Sequence, residues 1–253
     1  MNIYQKTIAY NSILRREILR IIRIWPQTIC PSIISAALNM LVFGKLIGSQ
    51  ISQNQPYIHY IIPGLILMAI IMNSYENTVS SFFVPKYMRS IEELLISPTP
   101  SYIIILAYAS GGVARSITLA CFIYLASMFF TSTSIINFPL LLIISLLTAI
   151  IFAIAGLINA FLAKNFDDIA WFSSFILTPM IFFAGLYYKI ERLDPIWQNI
   201  SLFNPLYYIL QIFRSCFFEV ENINVGIVVS SMCLLVVVLF KVAMRLLDKT
   251  IRK

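Results

Sequence analysis

The side chains able to do chemistry are few and far apart. His59 is the single histidine, so neither a histidine base with its partners nor a zinc cage can be built around it. Cys30, Cys121, Cys216 and Cys233 are widely spaced with no CxxC pair, which supports neither a zinc site nor a disulfide framework. Cys30, Cys121 and Cys233 read as small apolar residues inside hydrophobic runs; Cys216 stays open. Asp167 and Asp168, in Lys164-Asn165-Phe166-Asp167-Asp168, fit a helix-start cap better than an acid/base pair. None of the glycines belongs to a GxxxxGK[ST] run, so the chain has no P-loop for nucleotide. No catalytic, metal or cofactor site is legible. What remains are two ionisable residues inside apolar runs, Glu76 and Arg115, and ionisable residues there are functional candidates.

The elements that position them belong to a membrane protein. Of 253 residues, 60% are hydrophobic and 11% charged, against roughly 25% charged in soluble domains. Long apolar runs predict an all-α fold with six spans, near 27–48, 60–82, 101–130, 139–162, 169–188 and 225–247, in one domain over 1–253. The net charge of +7 follows topology rather than nucleic acid. Lys and Arg crowd the N-terminal segment, the second and fourth loops and the tail, while the first loop (Ser49–His59) and the third (Thr131–Phe138) have none. The positive-inside rule then places both termini in the cytoplasm.

Residues 3–24 alternate apolar and basic positions at helical spacing. Tyr10, Ile13, Leu14, Ile18, Ile21 and Trp25 form one stripe, with Arg15, Arg16, Arg20 and Arg23 off it. This predicts an interfacial helix, its arginines toward anionic lipid or a cytosolic partner, or a basic segment that only orients the chain. Pro26 fits the start of a new helix. In the fifth loop, Asp194-Pro195 and Asn204-Pro205 predict two short external helices on or in the outer leaflet, the second with Leu206, Ile209, Leu210, Phe213 and Phe217 as its apolar stripe. Counting inward from the outer ends, Arg115 and Glu76 both lie roughly 22–24 Å deep. An ion pair there, with Gly111-Gly112 allowing close approach, competes with separate snorkelling of each side chain.

Between the second and third spans, Lys86–Pro100 gathers four charges. Ser90-x-x-Glu93 has the form of a capping box, and Ser97-Pro98 stops the helix. Met88, Ile91, Leu94 and Leu95 share one side, while Arg89 faces Glu92 and Glu93. Such a helix docks onto something outside the membrane, or is only a polar loop.

Several segments together resemble the ABC-2 type transporter permeases of bacterial inner membranes. They are Pro63-Gly64-Leu65, Ile71-Met72-Asn73-Ser74-Tyr75, Ser81-Phe82-Phe83, Arg89-Ser90-Ile91-Glu92-Glu93-Leu94-Leu95, Gly111-Gly112-Val113-Ala114-Arg115, Phe166-Asp167-Asp168-Ile169, Leu177-Thr178-Pro179 and Asn204-Pro205. The resemblance spans essentially the whole chain. It implies a six-span subunit that pairs with a second copy of itself and binds two ATPase subunits, which would hold the ATP and Mg. In such permeases the loop at 89–95 is a coupling helix entering a cleft on the ATPase, and the N-terminal helix touches it too. Glu76 departs from that pattern. The expected function is outward transport of a hydrophobic or lipid-linked substrate (polysaccharide, lipid or drug-like). An ion-coupled carrier, a membrane enzyme and a membrane scaffold are the alternatives.

Overall fold

The computed structural model describes residues 2–47, 57–131, 133–188, 190, 193–218 and 224–251. Among these residues the regular structure is all helical. Six helices are long and apolar enough to cross a membrane: Trp25–Gly44, Tyr57–Tyr87, Ser101–Ser127, Phe138–Leu162, Phe166–Phe183 and Val225–Lys249. They correspond to the six expected apolar runs. Most of the expected first loop lies outside the described residues.

The N-terminal helix α1 (Ile3–Arg23) meets α2 (Trp25–Asn39) at Ile24, with Pro26 in the first turn of α2. Proline is tolerated there because its missing N–H would have no partner in any case. The first span then widens into a π-helix at Met40–Ile47. The second span, α3 (Tyr57–Tyr87), is the axis of the bundle and is buried along most of its length. A five-residue helix, α4 (Glu92–Ile96), separates it from the third span, α5 (Ser101–Ser127). The fourth span, α6 (Phe138–Leu162), lies against α3 and α5.

The fifth span is segmented. It comprises α7 (Phe166–Phe172), a π-helical stretch at Ser173–Leu177, and α8 (Thr178–Phe183). Two short helices, α9 (Pro195–Phe203) and α10 (Pro205–Ser215), follow where the Asp-Pro and Asn-Pro signals put them. The last span is α11 (Val225–Ile251).

Small residues bring the central helices together. A Cβ on Gly112 would sit 2.7 Å from Thr78 Cγ2 of α3, and one on Gly156 would sit 2.6 Å from the Tyr75 carbonyl oxygen. Close approach is how helices pack in a lipid solvent that offers little hydrophobic drive between them. Gly111 serves a different contact, since its Cβ would meet the Glu17 Cβ of α1 at 2.8 Å. The double glycine therefore admits two helices, one on each side of α5.

Candidate functional site

The charged island forms a sharper structure than its local pattern predicts. α3 runs to Tyr87, and Arg89 then adopts a left-handed φ of 58°. A β-carbon is disfavoured in that region, so the helix breaks here. The Ile91 N–H turns back to the Pro85 carbonyl at 3.2 Å. The Ser90–Glu93 capping box does not form. Ser90 Oγ instead donates to the Pro85 carbonyl at 3.3 Å, and α4 starts at Glu92 with no side-chain cap. Because the turn separates them, Arg89 does not share a helix with Glu92 and Glu93.

The stop at Ser97-Pro98 matches expectation, with Ser97 extended at ψ 148° and its hydroxyl donating to the Leu94 carbonyl. Ile91 is buried and Leu94 half-buried, but Met88 and Ile96 are 71% and 83% exposed. The apolar residues thus divide between an anchoring and an outward side. Which way Leu95 faces lies outside the described side chains. Glu92 and Glu93 are exposed.

Lys86 holds this end to the fourth span. Its Nζ donates to the carbonyls of Ala160, Phe161 and Ala163 at 3.0, 2.7 and 2.8 Å. These are carbonyls at the end of α6, where a helix lacks internal donors and its dipole favours a cation. Phe166 of α7 packs edge-on against Phe83 and Tyr87. Asp168 caps α7 as expected, accepting from the Lys164 and Asn165 amides at 2.8 and 3.2 Å.

α1 corrects the interfacial reading of two arginines. Helical spacing puts Tyr10, Ile13, Glu17 and Arg20 on one face, and that face meets the bundle. Tyr10 Oη lies 2.8 Å from Ser110 Oγ, while Ile13 and Glu17 are buried. Glu17 accepts from Ser81 and pairs with Arg20 at 3.3 Å and Arg16 at 3.7 Å. Arg20 donates to the Asn77 Oδ1 at 2.8 Å and to its carbonyl at 3.1 Å. Arg16 bonds Tyr108 and lies over its ring. Arg16 and Arg20 therefore bond to the spans, Arg16 while still largely exposed, and Arg15 and Arg23 are exposed without such a bond among the described contacts. Trp25, placed on the apolar stripe, is exposed as well.

The intramembrane pair is also revised. Arg115 donates to Asn77 Oδ1 at 3.3 Å and Asn73 Oδ1 at 3.2 Å. Ion pairs among the described residues join Glu17 to Arg16 and Arg20, not Glu76 to Arg115. Arg115 acts on Glu76 through space but gives its hydrogen bonds to Asn73 and Asn77, and Glu76 stays exposed. Counting along helices gives depth; it does not give rotation.

At the opposite end of the bundle, Arg214 of α10 is 1% exposed. It donates to the carbonyls of Gly185 and Leu186 at 2.8 and 3.1 Å and to Tyr60 Oη at 2.8 Å, stacking 3.7 Å from that ring. Burial pushes its guanidinium below the usual range, and Tyr60 opposes this. Asn204 ties α10 to α8 by donating to the Met180 carbonyl at 2.5 Å. The α10 stripe Leu206, Ile209, Leu210 and Phe213 is buried against the bundle, with Phe217 just beyond it. His59 Nε2 lies 3.0 Å from Thr131 Oγ1, a bond joining the first turn of α3 to the segment after α5.

The profile of the ABC-2 type transporter family matches residues 9–218. The chain belongs to that family. It is 40% identical over 218 residues, 85% of either chain, to the inner membrane transport permease YadH of Escherichia coli strain K12. It is also 24% identical over 197 residues to nodulation protein J of Sinorhizobium fredii, covering 77% of this chain and 74% of that one. A third relative, nodulation protein J of Rhizobium meliloti, is 21% identical over 217 residues, covering 85% and 80%. ABC-2 permeases are transport proteins that work with an ATP-binding subunit, and this one is a multi-pass inner-membrane protein.

Three residues of this ABC-2 permease escaped sequence reasoning. Lys86 reads as a topology signal, and neither Glu17 nor Arg214 stands out in the apolar pattern. For Glu17 a signal was present: it is the lone acid among the arginines of α1, spaced i, i+3 from Arg20. Nothing local marks Lys86 or Arg214, because their partners are backbone carbonyls distant in sequence.

Proposed function

We propose that this chain is the membrane subunit of an ATP-driven exporter, acting as a homodimer with two copies of a separate ATPase subunit. The observation that carries this reading is the end of α3. There a turn and a short helix present Met88, Glu92, Glu93 and Ile96 outward, while Lys86 anchors their base to α6. An exposed mixture of apolar and acidic side chains on a braced turn suits a docking element. The charge distribution assigns that end, with both termini, to the cytoplasm. With no P-loop in the chain, hydrolysis belongs to the partner. ATP closes the ATPase dimer, α4 is displaced, and α3 and α6 move together because Lys86 joins them. The substrate is hydrophobic or lipid-linked and moves outward past the segmented fifth span.

The double substitution Glu92→Arg with Glu93→Arg tests this. It is expected to abolish copurification of the ATPase and ATP-dependent transport while leaving membrane insertion intact. If the ATPase still copurifies and transport persists, α4 is only a loop and the reading fails.

A further inference from the structure

α3 carries one stripe at i, i+4 spacing that is buried at Gly64 and most exposed at Glu76. Tyr60, Gly64, Met68, Met72, Glu76 and Ser80 follow one another along it. At one end Leu186 lies over Gly64, close enough that a Cβ there would meet its Cγ at 3.1 Å. At the other end Arg20 reaches Ser80 Oγ at 3.4 Å. Between these closures Met68 and Met72 are half-buried and Glu76 is exposed, over about 12 Å of helix. Tyr75, one residue from Glu76, stacks on Phe172 of α7 at 5.6 Å, which forms a flank. Beyond Leu186, Tyr187 bonds Asn39 of α2 at 3.4 Å and packs on Phe43 at 4.6 Å. The opening is thus a bounded window in the bundle.

An acid at this depth is costly against lipid and ordinarily faces a water-filled cavity or a partner. Arg20 is held by Glu17, Asn77 and Ser80, while Arg115 is hydrogen-bonded to Asn73 and Asn77 and acts on Glu76 only through space, without a salt bridge. Among the described contacts, Glu76 has no hydrogen bond or ion pair. The window therefore offers one carboxylate next to two flexible, polarizable thioethers, which adapt to apolar bodies of varied shape.

We propose that the window Met68–Met72–Glu76 is a recognition site for an amphipathic organic cation, its apolar body on the two methionines and its positive head against Glu76. This rests on the permease reading above and narrows the substrate class to molecules carrying a cationic group.

The test uses the purified full chain in phosphatidylcholine vesicles, with radiolabelled tetraphenylphosphonium as probe and tetraphenylborate as its anionic match. Wild-type protein is expected to retain the cation above protein-free vesicles. Glu76→Gln should weaken that binding at least about tenfold, the effect of losing ~1.4 kcal/mol, while Glu76→Asp largely keeps it and tetraphenylborate is unaffected. Equal affinity in wild type and Glu76→Gln overturns the proposal. So does an equal loss for both ions, which marks an altered apolar surface. A change in oligomeric state with unchanged cation binding also overturns it, because Glu76 then faces a second copy. No ATPase is present in this assay, so its failure is separable from loss of ATPase copurification in the Glu92/Glu93 variant.

Discussion

Arg214 allows a magnitude to be worked from its partners. Arg214→Met removes the buried charge together with its hydrogen bonds, so no stranded cation inflates the cost. The Gly185 and Leu186 carbonyls, at 2.8 and 3.1 Å from Nη2, lose this donor inside the fold, and Gly185 keeps only a long contact to Tyr60 Oη at 3.5 Å. Each unsatisfied buried acceptor costs about 1–3 kcal/mol. Tyr60 is affected less, because its hydroxyl still donates to the Tyr188 carbonyl at 3.0 Å. Summing the two carbonyls gives about 4 kcal/mol as the central expectation. Arg214→Lys keeps a cation that reaches one carbonyl but not both, because an ammonium lacks the planar fork, so about 2 kcal/mol is expected. Both follow from equilibrium unfolding of the purified variants in mixed micelles with increasing SDS. Tryptophan fluorescence is a suitable signal, since Trp197 stacks on Phe183 near this contact. A loss below about 1 kcal/mol for Arg214→Met would refute the idea that Arg214 latches α10 to the turn after α8.

Two further expectations concern the ends of the bundle. Lys86→Met should lower unfolding free energy by about 2 kcal/mol, as expected for a cation lost from helix-terminal carbonyls; Lys86→Arg should recover part of it. In the reconstituted transporter, the methionine variant should also move less substrate per ATP hydrolysed while still copurifying with the ATPase, and unchanged transport per ATP would argue against its coupling role. Cys216 is fully buried, and burial pushes its thiol up to about 11. At pH 7 it should therefore resist maleimide in the folded protein and react once SDS unfolds the chain, as mass spectrometry of a variant with Cys216 as its one cysteine would show; prompt labelling in the folded protein would contradict the packing of α10.

The class of the protein was legible because it depends on composition and run length alone. Six apolar runs of spanning length must become helices, since lipid offers no partner for an open backbone. Local punctuation was equally readable where the cause is local. Asp194-Pro195 and Asn204-Pro205 start helices, Ser97-Pro98 ends one, and Asp168 caps one. The segments that resemble ABC-2 permeases carried the family. The short helix after α3 was legible in place but not in detail: the Ser90–Glu93 spacing fits a capping box, yet the left-handed turn at Arg89 leaves Ser90 bonded to Pro85.

Only the tertiary structure decided how the helices are rotated and what satisfies the charges. Spacing placed Arg115 and Glu76 at one depth. Whether Arg115 meets Glu76 or its neighbours Asn73 and Asn77 depends on the packing of α5 against α3, set by close contacts such as Gly112 against Thr78. The same holds for α1, whose apolar stripe suggested a helix resting on lipid. Its inward face includes the buried Glu17 and the half-buried Arg20, which is tolerable because α3 supplies Ser81 and Asn77. A hydrophobic pattern records the tendency of each residue to leave water. It does not record the polar partners that make burial tolerable, because those arrive from elsewhere in the chain.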